Sequence, residues 1–211
     1  MITKLLIIGA GGHGKVSADC ADVMGCFSQI SFMDGTFPQQ TSVSIWPIVA
    51  DGRDVSDFIA PDTRFFVAIG HNSTRQRIMQ QMASIGATFA TLVHPTAVVS
   101  QRATVGAGTL VCANAVVNIA SQIGQGCIIN TGASVDHDCV LGDYVHIAPG
   151  SRLAGSIQVG AGSFIGIGSA IIPGVKIGKN SILGAGSTLL RDLGDASVAV
   201  GSPAKEKIKQ Q

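Results

Sequence analysis

The sequence predicts an α/β front domain, half of a Rossmann unit (βαβαβ), followed by a parallel β-solenoid. Three observations predict this. From Val93 to Leu189 every sixth residue is Val, Ile or Leu, without exception. Four places after most of these stands a small or β-branched residue, as at Thr109, Ala115, Ser121, Cys127, Ala133 and Cys139, and directly after many of them stands glycine, as at Gly106, Gly124, Gly142, Gly160 and Gly166. Before Val93 the texture changes to short apolar runs alternating with helical patterns. A fixed short period is the mark of a solenoid, in which each repeat buries its apolar face only against its neighbours. The recurrent glycines are expected to supply the backbone freedom of its corners.

Taken in order, Lys4–Ile8 reads as a strand ended by Gly9, Gly14–Met24 as a helix, and Ile30–Met33 and Arg64–Ile69 as further strands. Thr36–Ser42, with Pro38 and two glutamines, reads as a loop. Ser73–Ile85 is a second helix, with Ile78, Met82 and Ile85 on one face, and Thr88–Val93 leads into the repeats. The pattern is too short for a two-half dinucleotide fold. The expected domains are residues 1–88, the repeats 89–190 and a C-terminal tail 191–211.

The chain has 211 residues and a formal net charge of +1. With no basic cluster to track phosphates, nucleic acid is not an expected partner. No stretch of about twenty apolar residues is present to span a membrane. The apolar run near the N-terminus is too short for a signal-peptide core. The five cysteines form no C-x-x-C pair, and Cys127 and Cys139 occupy the small interior position of their repeats, which reads as buried packing. A cytoplasmic protein is expected.

Gly9-Ala10-Gly11-Gly12-His13-Gly14 fits G-x-G-x-x-G after a strand and before a helix, with Asp34 at the end of the second strand. Such glycines let the backbone approach a pyrophosphate at a helix N-terminus, while an acid accepts a ribose hydroxyl. A nucleotide-sugar carries both groups and suits half a Rossmann unit better than a nicotinamide dinucleotide does. A tight turn without a ligand is the remaining reading. His13, inside the turn, could reach a phosphate or a sugar. Gly70-His71-Asn72 closes the third strand at the same end, where Asn72 serves equally well as a helix N-cap.

In the repeats, Val135-Asp136-His137-Asp138-Cys139 sets His137 between two carboxylates and at neither inward position. A histidine beside a carboxylate suits a general base, because the acid fixes the tautomer and stabilises the imidazolium. No metal is expected, since no second His or Cys stands at ligand spacing. With eighteen residues per triangular coil, His146 lies half a circuit from His137, so the two could meet only across subunits. Gly155 lies one coil above His137, about 4.8 Å away, where a free N–H could face a reacting carbonyl.

The hexapeptide pattern resembles the left-handed parallel β-helix acyltransferases. The glycine turn with His13, the segment from Asn130 to Cys139, His146, and Gly201-Ser202-Pro203-Ala204-Lys205 together resemble the sialic acid O-acetyltransferases and the nucleotide-linked 4-amino-sugar N-acetyltransferases. The half-circuit spacing of His137 and His146 favours a homotrimer, and the resemblance implies a left-handed β-helix, acetyl-CoA as donor, and a UDP- or dTDP-linked 4-amino-4,6-dideoxy sugar as acceptor. It implies His137 as general base, with Asp138 where relatives usually carry Glu, and Asn130 and Gly155 in the catalytic group. It implies acetyl-CoA contacts at His146, Gly155, Ile167, Ala185, Gly201, Pro203 and Lys205, the tail closing over that site. Gly11, Gly12, His13, Asp34 and Gly70 fall in the nucleotide-sugar pocket. A sugar O-acetyltransferase would use the same histidine. An inactive nucleotide-sugar-binding scaffold is disfavoured by the intact His137–Asp138 pair.

Overall fold

The computed structural model describes residues 3–207. They form two compact units that meet in the chain between Pro95 and Thr96. The expected boundary at residue 88 thus falls inside the first unit. The reason is pairing: the Phe65 N–H donates to the Thr88 carbonyl and the Ala90 N–H to the Phe65 carbonyl, each at 2.9 Å, so this segment extends the front sheet.

The first unit contains β1 (Lys4–Ile8), α1 (Gly12–Met24), β2 (Gln29–Met33), β3 (Ser42–Val43), β4 (Trp46–Ala50), β5 (Thr63–Val67) and α2 (Asn72–Ser84). The sheet order is β3-β4-β2-β1-β5, parallel except for the β3–β4 pair. Leu5, Ile7, Phe32, Phe65 and Phe66 are its buried centre. The strands β3 and β4 are an addition to the expected pattern. β4 carries Pro47, which lacks a ladder donor and obscures a strand in the sequence. The carboxyl ends of β1 and β5 lie side by side, so the Gly9 turn and the Gly70 turn open at the same end of the sheet. That end is where parallel α/β sheets bind ligands.

The second unit is a parallel β-solenoid, the left-handed β-helix of the resemblance. Residues eighteen apart pair, as in Val117↔Val135 and Ile129↔Ile147. Two-residue strands make three faces. The first carries Val116–Val117, Ser134–Val135, Arg152–Leu153 and Ala170–Ile171; the second Gln122–Ile123, Val140–Leu141, Gln158–Val159 and Lys176–Ile177; the third Ile128–Ile129, His146–Ile147, Phe164–Ile165 and Ile182–Leu183. The second residue of each strand is the period-six aliphatic and points inward, and Val117, Ile129, Val135, Ile147 and Ile165 are fully buried. Each such side chain contributes about 1.5–3 kcal/mol of burial.

The small position four places on has a second task besides fitting the interior. Its hydroxyl or thiol donates to a corner carbonyl of the next coil: Thr109 to Gly124 at 2.9 Å, Ser121 to Asp136 at 2.6 Å, Ser151 to Gly166 at 2.8 Å and Ser163 to Gly178 at 2.7 Å. Cys127 and Cys139 do the same toward Gly142 and Ala154, both at 3.2 Å. Burial raises the Cys139 thiol above its ordinary range, which keeps it a donor. Buried serine is tolerated because each one is satisfied.

The glycine expectation needs correction. The glycines that directly follow the aliphatics are not the left-handed positions. A Cβ at Gly106 would stand 2.5 Å from the Gln125 nitrogen, at Gly142 2.7 Å from the Ala161 nitrogen, and at Gly160 2.5 Å from the Lys179 nitrogen. They are glycine because the next coil's backbone passes through the space of a side chain. The left-handed residue comes two places later, as at Gly108, Gly126, Gly132 and Gly150, and there Asn114, Asp138 and Asn180 also occur. Asn and Asp tolerate that region better than most side chains.

Candidate active site

The front unit supplies a cradle at the ends of β1, β2 and β5. Gly9 takes φ +99°, and a Cβ at Gly14 would collide with the Gly9 carbonyl oxygen, so these two glycines shape the turn and seat α1 against it. At Gly11, Gly12 and Gly70 an added Cβ would meet nothing within 4 Å. These three leave an open surface rather than relieving a clash. Asp34 is more committed than its sequence position suggested. Its Oδ2 accepts the Ala10 N–H at 2.8 Å, while its Oδ1 accepts the Thr36 N–H at 3.0 Å and hydroxyl at 2.9 Å. Burial alone would raise this carboxyl, but the hydrogen bonds from Ala10 and Thr36 outweigh it and the acid is held below its ordinary value. Asp34 therefore locks the glycine turn to β2.

His13 stands in the first turn of α1, and burial pushes its pKa down to about 4, with the Arg75 guanidinium adding to the effect. It is neutral at physiological pH, and among the described residues its buried Nε2 has no hydrogen-bond partner. Arg75 is fully buried. It donates to the carbonyls of Ile69 at 2.8 Å and Gly70 at 3.2 Å, and to Asn72 Oδ1 at 2.8 Å. Arg75 thus braces the Gly70 turn. Sequence reasoning missed it, although an arginine on the same helical stripe as Met79 and Met82 was a signal. His71, rather than Asn72, is the N-cap residue of α2.

In the solenoid, His137 stands on the corner after Ser134–Val135, between the first and second faces. Its Nδ1 lies 2.8 Å from Asp138 Oδ2, and the ring is half exposed. The Asp138 hydrogen bond, followed by the charges of Asp136 and Asp138, holds the imidazole above its ordinary pKa. With Nδ1 bound to the carboxylate, Nε2 is the nitrogen left to exchange a proton. The ring lies over Gly155, where an added Cβ would stand 2.5 Å from Nε2 and closer still to Cε1. Gly155 is thus the floor on which the ring rests, and among the described residues no acceptor takes its N–H.

Asp136 and Asn118 complete this corner. Asp136 Oδ1 accepts the His137 main-chain N–H and Asn118 Nδ2, both at 2.8 Å. Asn118 was missed in the sequence, but its spacing of eighteen residues from Asp136 was the available signal.

Asn130 is not brought to His137. It stands beyond the end of Ile128–Ile129, on the corner leading from the third face to the first, and its Nδ2 lies 3.1 Å from Nε2 of His146. His146 begins a third-face strand, is buried, and packs edge-on against Phe164 at 5.1 Å between ring centres. Ile167, which is exposed, and Ala185 stack on the Asn130 corner, the Gly186 N–H donating to the Ile167 carbonyl at 2.8 Å. In one chain the expected residues therefore fall into two groups on different corners: His137, Asp138 and Gly155 on one, Asn130, His146, Ile167 and Ala185 about the other.

The tail returns along the last coil. The Gly201 carbonyl accepts the Thr188 N–H at 3.0 Å, and the Thr188 carbonyl accepts the Ala204 N–H at 2.8 Å. Pro203, Lys205, Leu189 and Arg191 help to line a cavity of about 370 Å³ there. Residues 208–211 of the expected tail lie outside the described residues.

Comparison with known proteins agrees with both halves. Residues 4–82 match the PglD N-terminal domain, and residues 120–155 and 156–191 match the bacterial transferase hexapeptide repeat. The chain is 36% identical over 108 residues to UDP-N-acetylbacillosamine N-acetyltransferase of Bacillus subtilis, a match that spans 50% of each. It is 38% identical to the acetyltransferase domain of PglB from Neisseria gonorrhoeae, solved in complex with acetyl coenzyme A, over 98% of this chain and 100% of that one, with a TM-score of 0.93. It is 39% identical to a mutant of perosamine N-acetyltransferase from Caulobacter crescentus, solved with CoA and GDP-perosamine, over 99% of both chains, with a TM-score of 0.91. A PglD-type front unit, hexapeptide coils and end-to-end likeness to solved members together place the chain in one family: it belongs to the PglD-type hexapeptide-repeat acetyltransferases.

Proposed function

We propose that this protein transfers the acetyl group of acetyl-CoA to the 4-amino group of a nucleotide-linked 4-amino-4,6-dideoxy sugar. The observation that carries the reading is the His137 corner: an imidazole held at Nδ1 by Asp138 and lying on a glycine whose N–H, among the described residues, no acceptor takes, with Nε2 likewise unengaged among them. The sugar amine attacks the thioester carbonyl and forms the carbon–nitrogen bond, giving a tetrahedral oxyanion whose collapse breaks the carbon–sulfur bond. His137 Nε2 takes the proton the amine loses and passes it to the departing thiolate, so charge balances without a covalent enzyme intermediate. The Gly155 N–H stabilises the oxyanion that develops between these events.

The nucleotide-sugar docks on the front unit at Gly11, Gly12, His13 and Gly70, with Asp34 shaping the turn. The open backbone at three of these glycines and the unpartnered His13 Nε2 suit a pyrophosphate and sugar. His146, Asn130, Ile167, Ala185 and the Gly201–Lys205 tail hold the donor. Because this group and the His137 group sit on different corners of one prism, a complete site takes one group from each of two chains, in a homotrimer. The named partners of the two solved relatives, acetyl-CoA and an amino-sugar nucleotide, are consistent with these ligands. The donor and acceptor both belong to the cytoplasm, where we place the enzyme.

The test is acetyl-CoA consumption against a panel of UDP-, dTDP- and GDP-linked 4-amino sugars, their 4-hydroxy counterparts and free sialic acid. Turnover confined to the amino sugars supports the reading. Turnover on hydroxyl acceptors alone would make the protein an O-acetyltransferase.

A further inference from the structure

The carboxylate before the base differs from the one after it. Asp138 lies in the left-handed corner position at φ +59°, its carboxylate is 60% exposed, and that carboxylate is joined to the side chain of His137, at Nδ1. Asp136 is tied at nearly every polar atom. Its N–H donates to the Leu153 carbonyl at 3.0 Å, its carbonyl accepts the Ser121 hydroxyl at 2.6 Å, and its Oδ1 holds both Asn118 Nδ2 and the His137 N–H. These partners come from three coils. The Cys139 thiol fixes the same corner one coil on, through the Ala154 carbonyl beside Gly155. Among the described residues the charged groups acting on the imidazole are Asp136 and Asp138, with uncharged Ile119 and Gly155 at the matching positions of the adjacent coils.

We propose that Asp136, clamped by Asn118, is a positioning residue for His137: it fixes the main chain that carries the base and sets a second, immobile negative charge beside it. The division of labour follows from the geometry. Asp138 selects the tautomer and can follow the ring, whereas Asp136 holds the corner still while His137 takes up and releases its proton. An immobile anion also lowers the cost of forming the imidazolium without reorganising during the reaction. This rests on His137 acting as proposed above.

Three variants separate geometry from charge. Asp136→Asn keeps an oxygen that can accept both hydrogen bonds but loses the charge; Asp136→Ala loses both; Asn118→Ala loosens the clamp and keeps the charge. The readouts are the titration of the His137 ring by NMR in protein without ligands, and the pH profile of kcat with acetyl-CoA and the best acceptor. In Asp136→Asn the His137 titration and the activity limb should both move to lower pH by about 0.5, with plateau kcat within about threefold of the parent. Asp136→Ala should add a fall in kcat of about 10–100-fold, and Asn118→Ala should lower kcat about 3–10-fold with the titration unmoved. A His137 titration unchanged in both Asp136 variants overturns the assignment, as does an Asp136→Ala kcat within twofold of the parent. Should Asp136→Ala not fold, Asp136→Asn and Asn118→Ala carry the same decision. The NMR titration is read without turnover, so it reports on Asp136 even if His137→Ala shows that another residue is the base.

Discussion

At the scale of single residues, the proposed proton chemistry rests on one corner of one coil. His137→Ala should lower kcat by about 10²–10⁴-fold with little change in acceptor KM, because a base acts in the transition state. Steady-state kinetics with both substrates varied checks this. The Asp138 hydrogen bond holds the His137 pKa above its ordinary value, so the activity limb should lie above that of an ordinary histidine, as a pH profile of kcat would check. Asp138→Asn should move that limb to lower pH and reduce plateau activity less than His137→Ala does. Gly155→Ala should be nearly as damaging as His137→Ala, since the new methyl would occupy the space of the imidazole. A Gly155→Ala enzyme with normal kcat would show that the ring can turn aside without cost. In the front unit, His13 has a folded pKa of about 4, well below that of an unfolded histidine. The unfolded chain binds the extra proton first as pH falls. The stability that neutral His13 confers is therefore complete above about pH 6.5 and is lost progressively as the pH drops to about 4. Thermal melts across that window should show a steeper acid loss for the parent than for His13→Gln.

At the scale of elements, the coil is held by two ladders that share the corners. The interior hydroxyls and thiols satisfy carbonyls one coil on, and the glycines after each aliphatic admit the next coil's backbone. Ser163 both donates to the Gly178 carbonyl and accepts the Ser181 N–H at 3.0 Å. Ser163→Ala leaves two buried polar groups unpaired and should cost about 1–3 kcal/mol in urea denaturation. Gly160→Ala should cost at least as much, because the atom in its way is backbone and cannot turn aside. The same logic explains what was legible. The aliphatic period was plain in the sequence because every coil repeats the same burial. β4 was not, because Pro47 and a flanking irregularity break its alternation, and only pairing with β2 makes it a strand.

At the scale of the whole molecule, the decisive question is which chain supplies which half of a site. His137 and His146 occupy a corner and a face that one prism cannot bring together. If the protein is the cyclic homotrimer proposed, mixing His137→Ala and His146→Ala chains in equal amounts, by co-expression, should restore about 25% of parental activity, because each interface draws its two halves independently. No recovery at all, with each variant alone inactive, would place both residues in one chain's site. A stable monomer by sedimentation at micromolar concentration would end the shared-site reading directly.

The sequence by itself determined the solenoid, the strand–glycine–helix turn, and the candidacy of His137 and its following acid. Each is written in local spacing: a period of six, a G-x-G-x-x-G after a strand, and two carboxylates beside one histidine. Tertiary structure alone decided the rest, because those facts depend on what lies a coil or a strand away. It turned Asp34 into the lock of the glycine turn, set Asn118 on Asp136, laid the His137 ring on Gly155, and paired Asn130 with His146 instead of with His137. Stacking at eighteen residues converts sequence-distant side chains into neighbours, and hydrogen bonds between coils, rather than proximity along the chain, fix which groups can act together.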